Sequence, residues 1–392
     1  MRALTWQGKR DVRVETVPDP KIQEPTDAII EVTTTNICGS DLHLYEVFGP
    51  FMSPGDILGH EPMGRVVEVG SAIKNLSVGD RVVIPFQIAC GTCHMCQHQL
   101  PTQCETTQVQ SEHRGAALFG YSQLYGQVPG GQAGLLRVPH ADFTHIKVPE
   151  GPNDSRFVYL SDVLPTAWQA VQYADIPDGG SVTVLGLGPI GDMAARIAAH
   201  QGYQVTAVDL VPERLERARA RGIDTIDLTE NEDIGAIMRD RTEGRGPDSV
   251  IDAVGTEAHG SAGAKVVQAM AGLLPDALAQ PVFKSAGVDR LSALYTALDT
   301  VRRGGTVSLS GVYAGDMDPM PMGTMFDKQI RLHMGQANVK RWADDIMPLL
   351  TDSDPLGVDT FATHEMSLEE APHGYDIFQK KQDGAVKILL HP

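Results

Sequence analysis

The chain has few cysteines, few basic residues relative to acidic ones, and no long hydrophobic run. Its 5 cysteines in 392 residues are an odd number, which argues against a disulfide framework. The 50 acidic residues against 32 basic ones leave a formal net charge of −18, which argues against nucleic acids and anionic membranes as partners. No stretch is apolar for long enough to span a membrane, and none has the pattern of a signal peptide. We therefore expect a cytoplasmic protein that binds neither nucleic acid nor membranes.

The remaining composition is that of an ordinary globular protein. Hydrophobic residues make up 42% of the chain and charged residues 21%, so there is ample material for a core. A chain of 392 residues is expected to form one very large domain or two ordinary ones.

The stretch from Ser181 to Asp209 predicts a strand, a glycine turn, a helix and a second strand. The first glycine would make the tight turn, the second would let the backbone approach a pyrophosphate, and the third would let the helix pack closely on the strand. The helix N-terminus would offer free N–H groups to the phosphates, and Asp209 would accept hydrogen bonds from the adenosine ribose. A lone G-x-G-x-x-G turn is weak evidence, but in this setting it predicts a dinucleotide site. The turn comprises Gly186, Leu187, Gly188, Pro189, Ile190 and Gly191.

Asp209 also favours NAD over NADP as the cofactor. A 2′-phosphate about 4 Å from this carboxylate would meet a repulsion of about 1 kcal/mol in water, and about 4 kcal/mol at an effective dielectric constant of about 20. Arg214 is close enough in sequence to weaken that repulsion, and NAD remains the favoured cofactor.

The rest of the chain has a β-rich first part and an alternating second part. The first 36 residues or so alternate between apolar and polar, which predicts antiparallel strands. Beyond Asp209, apolar strands such as 249–254 and 306–311 alternate with helices, as in a doubly wound parallel sheet. The segment of about 256–290 predicts an insertion. It would be either a surface excursion or subunit contact, or a lid over the bound cofactor.

The strongest motif is a C-x2-C-x2-C-x7-C cluster. Four thiolates at this spacing can surround one tetrahedral zinc ion and leave no position open for a substrate, so we expect a structural site. Reactive or redox-active thiols and an iron–sulfur cluster are the alternatives. The four residues are Cys90, Cys93, Cys96 and Cys104.

A second candidate metal site combines Cys38 with His60. The cysteine begins the sequence CGSDLH, and the histidine lies in the sequence GHEP. Taken singly, a buried cysteine or histidine is more often a core residue. Together, a soft thiolate and an imidazole on adjoining segments of one β-rich region suit zinc.

These motifs, in this order and at this rough spacing, resemble those of the zinc-dependent medium-chain alcohol dehydrogenases. The resemblance spans nearly the whole chain, and the stretches GAALFGY and GGQAGLLRVPHAD look most like the bacterial formaldehyde dehydrogenase and formaldehyde dismutase branch. It implies an α/β protein with a GroES-like β-rich catalytic domain, residues 1–163 and 336–392, whose zinc lobe is 90–104. It also implies an inserted Rossmann domain, residues 164–335, with a doubly wound parallel sheet.

The resemblance further implies a catalytic zinc bound by Cys38, His60 and Asp162. Many members have a cysteine at the third position, and this chain has no cysteine left to serve there. One thiolate, one neutral imidazole and one carboxylate balance the charge of Zn²⁺. Glu61 would be an outer-layer or transient ligand. With the four-cysteine lobe, we expect two zinc ions per subunit.

The resemblance implies a proton relay and a set of cofactor contacts as well. Ser40 would take the substrate proton and pass it through the cofactor ribose to His43. The alternatives are that Ser40 is a turn residue and His43 an exposed structural histidine. Further cofactor contacts are expected at Thr166, Val254, Gly311, Val312 and Lys387, the last of these at the pyrophosphate.

The implied function is hydride transfer between NAD and a primary alcohol or hydrated aldehyde, with formaldehyde favoured. One alternative is a formaldehyde dismutase that retains its NAD, and another is a polyol or amino-alcohol dehydrogenase. The alternative of a different class is a zinc-stabilised NAD-binding protein without catalysis. The resemblance also implies a homo-oligomer, a tetramer rather than a dimer.

Overall fold

The computed structural model describes most of the chain. The predicted insertion at about 256–290 lies outside the described residues. The described residues are 1–231, 233–255, 291–313, 320–351 and 353–392.

Strands are distributed along the whole chain, and those in the described residues pair into three sheets. In chain order they are β1 (Arg2–Gly8), β2 (Asp11–Thr16), β3 (Ala28–Ile37), β4 (Asp56–Ile57), β5 (Met63–Val69), β6 (Arg81–Val83), β7 (Leu135–Val138), β8 (Ile146–Lys147), β9 (Ser181–Leu185), β10 (Gln204–Asp209), β11 (Asp224–Asp227), β12 (Ser249–Asp252), β13 (Thr306–Leu309), β14 (Arg331–Met334), β15 (His364–Ser367) and β16 (Ile388–His391).

Helices become frequent only after residue 150. In chain order the described α-helices are α1 (Gly39–Glu46), α2 (His94–Gln97), α3 (Asp154–Phe157), α4 (Val163–Tyr173), α5 (Pro189–His200), α6 (Pro212–Arg219), α7 (Ile234–Arg241), α8 (Ser292–Thr300), α9 (Met322–Lys328), α10 (Val339–Thr351) and α11 (Ala371–Lys380).

The chain divides into two compact units. The first unit comprises Met1–Thr166 and Ala337–Pro392, and the second comprises Ala167–Gln336. The first unit is therefore built from both ends of the chain.

Two β-sheets form the first unit. One has the order β2-β1-β4 and the other β15-β16-β3-β5-β6-β8, with β7 also paired to β3. Strand β16, near the C-terminus, pairs antiparallel with β3. Apolar residues from the two chain ends share one buried cluster, as Leu4 and Leu390 illustrate. As the alternation of its first residues predicts, the N-terminal strands β1 and β2 are antiparallel.

One parallel sheet forms the centre of the second unit. Its order is β11-β10-β9-β12-β13-β14, and every neighbouring pair is parallel. This is the doubly wound order, in which ligands bind beyond the carboxyl ends of the strands where the order reverses. The reversal lies between β9 and β12. Strands β12 and β13 are buried along their whole length, which explains their short, largely apolar sequences.

Candidate metal centres and dinucleotide turn

The first unit brings Cys38, His60 and Asp162 together in its interior. Cys38 lies between β3 and α1, and His60 precedes β5. Asp162 lies between a 3-10 turn and α4, where its backbone departs from helical geometry (φ −154°, ψ −66°). Oδ2 of Asp162 lies 3.5 Å from the Cys38 sulfur and 3.4 Å from Nε2 of His60. All three residues are at least nine-tenths buried.

These distances fit a tetrahedral zinc site. Zn–N and Zn–O bonds of about 2.1 Å place neighbouring ligand atoms about 3.4 Å apart. Each of the three residues offers a ligand atom, as does Glu61, and these atoms all lie within 4.8 Å of one another. One oxygen of Glu61 is buried and has no hydrogen-bond partner among the residues that the structure describes. The donor set therefore suits a divalent cation.

The electrostatics of the cluster also favour a bound cation. Burial, together with the charges of Glu61 and Asp162, raises the pKa of the Cys38 thiol. Burial opposes protonation of His60, yet the carboxylates of Asp41 and Asp162 raise its pKa well above the usual value. The carboxylates thus attract positive charge to this site, and a metal ion can supply it in place of protons.

Asp41 contacts the cluster from the far side of the His60 ring, a role that the sequence motifs alone do not assign to it. Its Oδ1 lies 3.0 Å from Nδ1 of His60, the ring nitrogen that faces away from Asp162. Its Oδ2 accepts hydrogen bonds from the Cys38 backbone N–H at 2.9 Å and from the Gln132 amide at 3.3 Å. Such a carboxylate orients a ligating imidazole. The signal was available, because the aspartate lies inside the CGSD motif.

The structure corrects the expectation for Lys387. Its side chain is fully buried, so it offers no ammonium group to a pyrophosphate. Instead the ammonium pairs with the carboxylate of Glu61, which is also fully buried. Removing either partner would leave an uncompensated buried charge. Lys387 therefore compensates the charge of Glu61 beside the metal cluster.

Ser40 and Thr166 both contact this cluster through their hydroxyl groups. The Ser40 oxygen lies 3.2 Å from Nε2 of His60. His43 follows three residues after Ser40 on α1, a spacing that places the two on one helix face. Thr166, an expected cofactor contact, donates a hydrogen bond of 2.6 Å to Oδ1 of Asp162.

The four remaining cysteines gather in a separate lobe of the first unit. Their sulfurs lie within 4.8 Å of one another, and those of Cys93 and Cys104 are 3.9 Å apart. Zn–S bonds of about 2.3 Å would place two sulfurs about 3.8 Å apart in a tetrahedron. Burial opposes ionisation of Cys90, but hydrogen bonds from Thr106, Thr92 and the backbone lower its pKa to about 5. The lobe, formed by Cys90, Cys93, Cys96 and Cys104, therefore suits a structural zinc ion.

The glycine turn of the second unit has the geometry that a dinucleotide needs. Gly186 has a φ of +85°, which favours glycine. A Cβ on Gly191 would lie 1.8 Å from the Gly186 carbonyl oxygen, so this position has no room for a side chain. At Gly188 the nearest described atom outside its chain neighbours, a nitrogen of Arg214, would be 3.9 Å from a Cβ, which leaves space beside the backbone. Helix α5 begins at Pro189, followed by the half-buried Ile190.

Asp209 ends β10 beside this turn. Its Oδ2 accepts a hydrogen bond of 2.6 Å from the N–H of Leu187, and its Oδ1 accepts from the N–H groups of Leu210 and Val211. Nη1 of Arg214 lies 3.8 Å from the same carboxylate. The predicted acid is therefore at the carboxyl end of its strand.

Three further predicted cofactor residues follow the neighbouring strands β12 and β13. A Cβ on Gly186 would lie 2.7 Å from a methyl group of Val254. A Cβ on Gly311 would lie 2.2 Å from the backbone nitrogen of Gly255, so the two loops pass in close contact. Val312 is 47% exposed. The structure thus brings Gly186, Val254 and Gly311 to one edge of the sheet.

The fold and these clusters define a class of protein: a zinc-binding dehydrogenase with a β-rich metal unit and a doubly wound nucleotide unit. The family model for the alcohol dehydrogenase GroES-like domain matches residues 24–150, and that for zinc-binding dehydrogenases matches residues 189–272. The chain belongs to the zinc-dependent medium-chain alcohol dehydrogenases and is an oxidoreductase of that type. The predicted family and the GroES-like and Rossmann fold class are confirmed.

Individual relatives cover the chain from end to end. A zinc-type alcohol dehydrogenase-like protein of Bacillus subtilis is 40% identical and covers 100% of both chains. Formaldehyde dismutase of Pseudomonas putida is 33% identical over 100% of this chain and 97% of its own. The solved structure of alcohol dehydrogenase TADH from Thermus sp. ATN1 is 34% identical, with a TM-score of 0.82 over 100% of this chain and 99% of its own.

No helix in the described part of the chain combines the length and the apolar character needed to cross a membrane.

Proposed function

We propose that this protein is an NAD-dependent zinc dehydrogenase of primary alcohols or hydrated aldehydes, with formaldehyde as the favoured substrate. The observation that carries the proposal is the buried set of Cys38, His60 and Asp162, with the Ser40 hydroxyl beside the His60 nitrogen. Three protein ligands with one open position characterise catalytic zinc sites, whereas four characterise structural ones.

The proposal includes two zinc ions per chain with different tasks. The four-cysteine lobe would hold a structural ion, and the cluster around Asp162 would hold the catalytic one. A bound catalytic zinc would supply a Lewis acid that lowers the pKa of an alcohol or aldehyde hydrate, while NAD would accept the hydride.

The residues of the first unit would orient these groups and move the proton. Asp41, whose Oδ1 lies 3.0 Å from Nδ1 of His60, would orient the ring so that Nε2 faces the cluster. Ser40 would accept the proton of the substrate hydroxyl at its Oγ, and the proton would leave by way of His43. The buried Lys387 pairs with Glu61 and offsets part of the rise in the pKa of this carboxyl group that burial causes.

The second unit would bind NAD at the carboxyl edge of its sheet. Gly188 leaves room for the pyrophosphate at the start of α5, and the Asp209 carboxylate would face the adenosine ribose. A 2′-phosphate would meet that carboxylate with like charge, which favours NAD over NADP. Arg214, 3.8 Å from the carboxylate, weakens this repulsion in part.

Formaldehyde is favoured because two relatives of the chain are named for it. One is the dismutase of Pseudomonas putida at 33% identity, and the other is a glutathione-independent formaldehyde dehydrogenase of Pseudomonas aeruginosa at 32%. The same similarity supports a second candidate function, a dismutase that retains NAD and turns two aldehydes into an alcohol and an acid. The same proposal includes a cytoplasmic location, an oligomeric state and activity that does not require added glutathione.

The test is to incubate the purified protein with ¹³C-formaldehyde and follow the products by NMR. Formate and NADH that form only after NAD is added would support the dehydrogenase. Equal amounts of methanol and formate over many turnovers without added nucleotide would support the dismutase. Absence of turnover under both conditions would contradict formaldehyde as the substrate. Ser40→Ala serves as the control, since it should lose turnover while keeping its zinc content.

A further inference from the structure

The carboxylate of Asp252 ties together two loops at the carboxyl edge of the second unit's sheet. Asp252 is the last residue of β12 and is fully buried. Its Oδ1 accepts hydrogen bonds from the N–H groups of Val254 at 2.9 Å and Gly255 at 3.2 Å. Its Oδ2 accepts a hydrogen bond from the hydroxyl of Tyr313, which lies beyond β13. One side chain thus contacts the loops that follow two adjacent strands.

The backbone of Asp252 contributes to the same connection. Its carbonyl oxygen accepts hydrogen bonds of 2.9 Å from the N–H groups of Ser310 and Gly311, which follow β13. The two loops also touch directly, since a Cβ on Gly311 would overlap the backbone of Gly255. Five hydrogen bonds therefore converge on one residue, two of them from the loop after β12 and three from the loop after β13.

Three of these hydrogen bonds reach the carboxylate, where they stabilise an ionised group that would otherwise be costly to bury. Burial raises the pKa of Asp252, and the three donors oppose that rise. Burial and the charge of Asp252 raise the pKa of Tyr313, so the tyrosine keeps its proton and remains a donor. Removal of the Tyr313 hydroxyl would leave Oδ2 of Asp252 without this partner in a buried position.

The two loops carry residues that the proposed function assigns to NAD. A Cβ on Gly186 of the glycine turn would meet Val254, and Gly311 and Val312 lie in the loop after β13. We propose that Asp252 and Tyr313 are positioning residues that hold these loops in the geometry that binds the cofactor. This inference rests on the proposed NAD site and names two residues that act on it through other groups.

The test compares Tyr313→Phe with the wild-type protein by titrating NADH and following its fluorescence. We expect the Kd for NADH to rise about tenfold, the effect of one lost hydrogen bond to a charged group. The KM for NAD should rise in parallel, while kcat at saturating NAD and the zinc content stay unchanged. Asp252→Ala should raise the Kd further, and Asp252→Asn, which keeps an acceptor for the N–H groups, should restore part of the affinity.

Tyr203→Phe is the control, since Tyr203 immediately precedes β10. It therefore lies at the amino ends of the strands, opposite the carboxyl ends where the two loops lie. It should leave the Kd for NADH unchanged. A Tyr313→Phe variant that binds NADH as tightly as the wild type would overturn the inference and leave the NAD site standing. A Tyr313→Phe variant with a lower melting temperature but an unchanged Kd for NADH would likewise overturn the inference. A wild-type protein that does not bind NADH would overturn both the inference and the proposed cofactor.

Discussion

At the scale of single residues, Asp162 has the largest expected consequence for the chemistry. Its carboxylate reaches both Cys38 and His60, and its second oxygen accepts a hydrogen bond from Thr166. The break between a 3-10 turn and α4 directs this side chain into the interior. The backbone geometry at Asp162 therefore allows its carboxylate to reach the metal cluster.

Replacing Asp162 with alanine should remove the catalytic zinc and spare the structural one. We expect the zinc content to fall from about two ions per chain to about one, because three ligands are needed to hold an open site. Metal analysis of the purified variants by mass spectrometry measures this. Asp162→Cys, which restores an anionic ligand, should retain about two ions. Full zinc occupancy in the alanine variant would show that Asp162 is not a ligand.

The two glycines of the dinucleotide turn should respond differently to alanine. Gly191→Ala should lower the free energy of unfolding by about 1–3 kcal/mol or more, since its Cβ would overlap the Gly186 carbonyl. Gly188→Ala should leave stability nearly unchanged, because its φ of −64° suits alanine and, apart from its chain neighbours, the nearest described atom would lie 3.9 Å from the added Cβ.

The two glycine variants also distinguish an effect on folding stability from an effect on cofactor binding. Gly188→Ala should weaken NADH binding at least about tenfold by occupying the space of the pyrophosphate. Thermal unfolding and NADH titration of both variants measure the two effects. Normal NADH affinity in Gly188→Ala would place the pyrophosphate elsewhere.

At the scale of secondary-structure elements, α5 carries a buried charge network on its inner face. Asp192 and Arg196 lie one helical turn apart and are 2% and 4% exposed. Two hydrogen bonds join their side chains. Arg217 of α6 donates a third hydrogen bond, of 2.7 Å, to the same carboxylate. The Asp192 carboxylate therefore joins two helices of the doubly wound unit.

Asp192→Ala should be strongly destabilising. It would remove the carboxylate that accepts two hydrogen bonds from Arg196 and one from Arg217, and breaking a buried charge pair from one side costs about 3–5 kcal/mol. The comparison is Asp376→Ala, which breaks an i,i+4 pair with Lys380 that is about half exposed and should cost at most about 1 kcal/mol. Urea denaturation of both variants measures the difference. Equal midpoints would show that the buried network adds no stability.

At the scale of the whole molecule, one edge of the parallel sheet exposes apolar side chains. Strand β14 ends the strand order, and within the described residues no strand pairs with its outer side. Met334 on this strand is 54% exposed, and Met322 and Phe326 on the preceding helix are 62% and 83% exposed. An exposed strand edge with apolar neighbours is suited to pairing with a second copy of the chain.

Phe326→Glu should therefore reduce the size of the protein in solution. We expect light scattering after size-exclusion chromatography to give a multiple of the 42.2 kDa chain mass for the wild type and a smaller mass for the variant. Val78→Glu, which replaces an exposed apolar residue of the other unit, should leave the mass unchanged. A wild-type mass of one chain would contradict the predicted oligomer.

Several structural features of this protein can be predicted from short sequence patterns. The turn from Gly186 to Gly191 and the cysteines from Cys90 to Cys104 lie within 15 residues or fewer. Glycine conformations and tetrahedral thiolate sites are local requirements, so they can be identified without knowing the fold. The alternation of the first residues likewise predicts the antiparallel strands β1 and β2.

The tertiary structure decided the contacts that join distant parts of the chain. Lys387 pairs with Glu61, 326 residues away in sequence, and Asp252 meets Tyr313 across the loops of two strands. Asp41 lies inside a recognised motif, yet its contact with His60 exists only because β3 and the segment before β5 are neighbours. Which charged groups pair in the interior depends on which elements pack together. The spacing of residues along the sequence does not specify these pairs. The sequence by itself therefore determined the family, the glycine turn and the cysteine lobe, whereas the fold decided which charged groups surround the metal cluster and the loops.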